Sequence, residues 1–184
     1  MNLNSLLESL NLDKNIDLDD IPELDLYMDQ VIQLFENKLG ENKRFEEDKI
    51  LTKTMINNYA KGKLLMEIKN KKYTKEHIIL MCFIYNMKGI LALSDIKLAL
   101  GDIVEKYNKE EVDSNYIREL YKLYLKGHEK NLDDINKEIS TDLNNLGENF
   151  DSLEKSEKRL LISAILVDKA NMYKRLAEKI LDFE

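Results

Sequence analysis

The side chains best suited by type and spacing to do chemistry are lysines, asparagines and a threonine in one short stretch. Lys53, Asn57 and Lys61 recur at four-residue steps with Thr54 and Asn58 beside them, so a helix over 52–61 puts all five on one wet face. Asparagine can pair bidentately with an adenine edge in the major groove, while lysine and threonine bind phosphate oxygens. Further on, Lys69, Lys71, Lys72 and Tyr73 close a tip over 66–73 that is placed to reach the flanking DNA backbone. The chemistry these types offer is recognition of double-stranded DNA. Lysines at such spacing also make an ordinary solvated face on a helical bundle, and composition does not separate the two.

Catalytic constellations are missing. His77 and His128 are the only histidines, and neither follows a glutamate by three residues, as a di-metal bundle site needs. The acidic run Asp13, Asp17, Asp19, Asp20 fails as a calcium loop: counted from Asp13, Leu18 stands where glycine is required and Leu24 where the bidentate glutamate belongs. Cys82 is the single cysteine, so no disulfide and no cysteine zinc site forms within one chain, and its apolar neighbourhood predicts a buried, inert thiol. No phosphate loop, dinucleotide fingerprint or nucleophile elbow occurs. The expectation is a protein with no enzymatic activity, no metal and no cofactor. Tyr116, Tyr121 and Tyr124 are expected in a core or an interface.

Charge gives the recognition reading its sharpest support and its sharpest objection. The 184 residues sum to −7, which disfavours a general polyanion binder. Residues 49–75, however, hold eight lysines against the single acid Glu67, a local +7, so the rest sums to −14. Residues 1–48 alone carry thirteen acids against four basic residues. Lysine outnumbers arginine 24 to 4, a bias that supplies lysines everywhere but does not empty one window of acids.

Long helices must position these groups, since one proline and six glycines leave few chain breakers. Pro22 opens a helix whose apolar stripe is Leu24, Tyr27, Met28, Val31, Phe35 and Leu39, and Gly40 stops it. Residues 41–48 read as a polar linker. Thr52 caps the 52–61 helix, which Gly62 ends, and Leu64 to Ile68 lead into the tip as a small hairpin or an irregular wing. Thr74 with His77 starts a helix to about Gly89 that is apolar nearly all round, and Ser94 caps the next.

Beyond residue 113 an apolar stripe runs through Ile117, Leu120, Tyr124, His128, Leu132, Ile135, Ile139, Leu143 and Leu146. As one helix it spans about 50 Å at ~1.5 Å per residue, whereas Gly127 with Asn131 as a new cap would divide it in two. Residues 147–156 read as a loop and 157–181 as a last helix. The longest apolar runs are too short to cross a bilayer, and no secretory leader is read at residues 1–12, so a cytoplasmic protein is expected.

Residues 51–65 (LTKTMINNYAKGKLL) and 71–100 (KKYTKEHIILMCFIYNMKGILALSDIKLAL) resemble the MerR-type winged helix-turn-helix. The first segment is similar to its recognition helix and exit into the wing, the second to the wing return and the two helices that follow. Residues 24–40, 49–65 and 71–78 also resemble the bacterial family of domain of unknown function 1836. That likeness implies the winged-helix fold and no known activity. MerR recognition helices usually carry arginine where Thr54 and Asn57 stand and tyrosine where Asn58 stands, and here an acidic segment precedes the domain. The resemblance therefore implies DNA binding, and with these departures it does not extend to the promoter-untwisting mechanism of MerR activators.

The expected protein is all-α with a small wing, in three parts: an acidic segment over 1–21, a winged helix-turn-helix over 22–110, and a helical dimerisation or effector region over 111–184. It is expected to regulate transcription as a homodimer, with recognition helices about 34 Å apart, away from membranes and with its effector unspecified. The alternative expectation is a non-enzymatic helical interaction module whose basic face binds an acidic partner. One form of that alternative has the chain's own acidic segment folded back over the face.

Overall fold

The computed structural model describes residues 3–183, and the chain divides into two compact units, residues 1–129 and 130–184. The architecture is mainly helical. In the first unit, helix α1 (Leu3–Glu8) is followed by an irregular acidic segment. Strand β1 (Leu26–Tyr27) leads into helix α2 (Met28–Leu39), and α3 (Lys53–Lys61) follows. Strand β2 (Lys72–Tyr73) precedes helices α4 (Lys75–Met87), α5 (Leu93–Asn108) and α6 (Ser114–Asn145).

The chain behind Pro22 does not enter a helix at once. Leu24 is 79% exposed, and Leu26 and Tyr27 are taken into the antiparallel ladder, with Leu26 opposite Tyr73 and Tyr27 opposite Lys72. Helix α2 therefore starts at Met28. The Tyr27 N–H donates to Gln30 Oε1 at 2.8 Å, which satisfies one otherwise unpaired amide at the helix start. The stripe then buries Val31, Phe35 and Leu39 as the periodicity requires, while Tyr27 lies outside the core. Residues 40–42, within or beside the expected linker, form a single 3-10 turn.

Helix α3 is capped as its sequence predicts: Thr52 Oγ1 accepts the Met55 N–H at 3.2 Å. Ile56 and Tyr59 hold it to the core. Gly62 does not supply the left-handed turn after it. Gly62 stays helical at φ −71° and Lys63 takes the positive φ of 58°, with Leu64 N–H donating to Tyr59 O and Lys63 N–H to Ala60 O in the manner of a Schellman motif.

Helix α4 is the centre of the unit. Ile78, Ile79, Leu80, Met81, Cys82 and Ile84 are all buried, as a helix apolar on every side must be. Ser94 is not the cap of α5. Ala92 occupies that position, and Ser94 sits in the first turn, donating to Asp95 Oδ1 at 3.3 Å. The acidic segment closes the core from the other side, with Ile16 and Ile21 only 1% and 2% exposed.

Residues 114–145 form one helix, and Gly127 lies inside it without a break. In the second unit α6 ends, α7 (Gly147–Asp151) replaces part of the expected loop, and α8 (Lys155–Leu181) follows. Ile139 and Ile162 are its buried apolar side chains among the described residues, and Lys169 pairs with Glu138 at 2.7 Å. Leu143 of the expected stripe lies outside the described side chains. No helix among the described residues is long and apolar enough to cross a membrane.

Candidate nucleic-acid interface

The five residues singled out on α3 share its outer face. Lys53, Thr54, Asn57, Asn58 and Lys61 are all exposed, while Ile56 and Tyr59 point inward. A helix of nine residues with polar groups along one side and a firmly held apolar side can enter a groove without unfolding anything. Lys53 is already engaged: its Nζ lies 2.7 Å from Asp29 Oδ1 at the start of α2. Both side chains are more than half exposed, so the pair is weak and exchangeable. Lys61, Lys63, Lys69 and Lys71 form no ion pair among the described residues.

The tip is an irregular wing. Its only regular strand, β2, pairs with β1 and not with residues 64–68, so of the two expected forms it is the irregular wing, not the hairpin, that is present. The turn is tight: Lys72 N–H donates to Lys69 O at 3.0 Å, and Asn70 and Lys71 take φ of 54° and 58°. Positive φ at both central residues is the type I′ geometry, in which glycine is favoured and lysine is not. With Lys63, three left-handed non-glycine residues border the basic surface. Strain of this kind collects where a side chain is kept for what it presents.

Lys69 and Lys71 are exposed. Lys72 is half-buried with its ammonium 5.6 Å above the Tyr27 ring, which leaves it less free. Tyr73 belongs to the support. It is 3% exposed and stands edge-on to the His77 ring, so it does not reach the surface as the sequence suggested. The residues overlooked in the sequence are Lys63 and Asn70, which are exposed in left-handed conformations. Their signal was faint, because glycine two residues before Leu64 drew the turn to itself.

The acidic segment has other work than covering this face. Asn11 donates to Glu41 O, Asn42 to Lys14 O, Tyr121 to Ile16 O and Lys38 to Asp20, and His128 Nε2 meets Leu12 O at 2.9 Å. Glu23 then meets Lys75 at 2.8 Å and Arg118 at 3.1 Å, and Arg118 also holds Glu76 at 2.6 Å. The hydrogen bond from Lys75, with the Lys75 and Arg118 charges, keeps the Glu23 carboxyl below its usual range. Among the described residues, none of these contacts reaches α3 or the tip.

Cys82 is 2% exposed, and burial pushes its thiol up to about 12, so it carries no thiolate near neutrality. Tyr121 is fully buried, Tyr124 half-buried and Tyr116 partly exposed, and the first two stack at 5.8 Å.

The model of a family described as Domain of unknown function (DUF1836) matches residues 16–124. The chain belongs to this family. No curated protein and no solved structure matches it. The DUF1836 span opens at Ile16 and closes just past Tyr121, the two residues whose hydrogen bond joins the ends of the first unit's core. Both α3 and the tip lie inside it.

Proposed function

We propose that this protein is a cytoplasmic DNA-binding transcriptional regulator without enzymatic activity. It reads double-stranded DNA with the outer face of α3 and flanks that contact with the tip. The observation that carries the reading is the continuity of Lys53, Asn57 and Lys61 on α3 with Lys63, Lys69 and Lys71 beyond it. The unpaired ammonium groups among them are available to displace counterions from phosphates. A MerR-like winged helix-turn-helix accounts for the order of elements: α2, then α3, then an irregular tip returning through β2, with α4 and α5 behind.

The test is selection of fragments from the source genome with the purified protein, followed by affinity against salt. Lys61→Ala and Lys71→Ala should each weaken binding and lower the slope of log K against log salt by about one. Binding that is absent, or that ignores salt, overturns the reading.

The same reading makes the regulator a homodimer. The apolar stripe of α8 starts at Ile162, 8% exposed, and runs on through Met172, Tyr173, Leu176 and Ile180, with Phe183 just past the helix end; these five are between 59% and 73% exposed. The stripe thus continues past the part that its own unit buries. An exposed apolar face of this length is the kind of surface that a second copy of the same helix would cover. Leu176→Glu with Ile180→Glu should convert a dimeric mass in solution to a monomeric one. A monomeric wild type overturns the dimer without touching the DNA reading.

A further inference from the structure

Behind the tip lies a cavity of about 320 Å³, between residues 66–72, the start of α4 and the junction of α5 with α6. That is the lower end of the size of small-molecule sites, roughly 300 Å³. His77 lines it and is 4% exposed. Its Nδ1 accepts the Thr74 backbone N–H at 3.2 Å and lies 2.9 Å from Thr74 Oγ1. A backbone N–H can only donate, so Nδ1 carries no proton and the neutral ring holds its proton on Nε2. That N–H is buried with no well-aligned hydrogen-bond partner among the described residues, and the Met66 and Glu67 backbone oxygens act on it only as weak acceptors. A buried donor left in this state favours any acceptor that can reach it.

The other polar groups fall into two kinds. Asn108 Oδ1 is taken by the Glu67 N–H at 3.0 Å, so its amide hydrogens are the part left to donate, and Lys69 adds a cation. Asp25, Glu67 and Glu110 supply carboxylates to the same cavity. Donors and a cation suit a carboxylate, and carboxylates suit an ammonium group. We propose that this cavity binds a small zwitterion of the α-amino acid class, its carboxylate on His77, Asn108 and Lys69 and its ammonium on the acids. Size supports that class, because the space admits an amino acid and little more.

The proposal shares Lys69 with the DNA reading but does not rest on it, and it is tested without DNA. The full chain is titrated with each free proteinogenic L-amino acid, with the corresponding decarboxylated amines and with the deaminated acids, following amide chemical shifts and the thermal midpoint. At least one amino acid should shift the amides of residues 66–69, 77 and 108 and raise the midpoint by about 2–4 °C near saturation. The amine and the acid alone should not. Asp25→Asn, at an exposed position, and Asn108→Ala should each weaken that binding about tenfold, a loss on the order of 1.4 kcal/mol. The proposal is overturned by no response to any amino acid. Equal binding of the amine or the acid, or binding indifferent to both variants, overturns it as well.

Discussion

The Tyr121 hydroxyl donates to the Ile16 carbonyl at 2.7 Å, tying the first turns of α6 to the acidic segment across 105 positions of sequence. The tyrosine is fully buried and the isoleucine 1% exposed, so neither group has water as a substitute. Tyr121→Phe keeps the ring stacking and leaves a buried carbonyl unpaired, which should cost about 1–3 kcal/mol in urea unfolding. A loss within ~0.3 kcal/mol would show that water replaces the hydroxyl.

Arg118 bridges Glu23 and Glu76, and Glu76 is nearly buried. Arg118→Met should destabilise by about 2 kcal/mol, less than for a fully buried pair because the arginine side chain is 23% exposed. The same network gives a pH dependence. The folded chain holds Glu23 below its usual range, so the stabilisation is present at neutral pH. It is lost as pH falls from the ordinary carboxylate range, about 4–5, toward the lowered folded value. Glu23→Gln should flatten the stability curve in that acid window and leave it unchanged above about pH 6.

His77 acts in a higher window. Burial lowers its pKa, so the folded chain keeps it neutral while the unfolded chain protonates near its ordinary value of about 6.5. Stability should therefore be constant above that value and fall as pH drops below it, until the lowered folded value is passed. His77→Gln should remove this limb below about pH 6.5, read from urea midpoints at half-unit steps.

Lys71 should show stability and function pulling apart. Its left-handed backbone costs a lysine what it does not cost a glycine. Lys71→Gly should raise stability by about 1 kcal/mol while weakening DNA binding, and Lys71→Ala should do only the second. Equal stability of the glycine variant and wild type would remove the evidence of strain.

Gly127 sits within α6, where an added Cβ meets nothing within 4 Å. Gly127→Ala should stabilise the protein by about 0.5–1 kcal/mol in thermal or urea unfolding.

The helices were legible where one periodicity governed. Val31, Phe35 and Leu39 keep a stripe, α4 has no polar side to misplace, and Thr52 caps α3 by a local bond. Errors came where distant partners decide. Leu24 and Tyr27 fit a helix pattern, yet Leu24 is left exposed and Tyr27 is drawn into a ladder opposite Lys72. Ser94 looked like a cap, but the chain enters α5 two residues earlier, at Ala92. In the candidate interface the α3 face could be read from spacing. Tyr73 could not, because an aromatic beside lysines looks the same whether it faces solvent or, as here, the edge of His77. The Arg118 bridge joins residues too far apart in sequence for any local pattern to register.

The two-residue ladder between β1 and β2 fastens both ends of a loop that contains α2 and α3. Cleavage of the exposed chain at Arg44–Glu47 would thus yield two fragments still clasped by that ladder and by the shared core. One fragment would carry α2 and the other α3. Severing the backbone there changes connectivity but leaves each fragment its own half of the ladder.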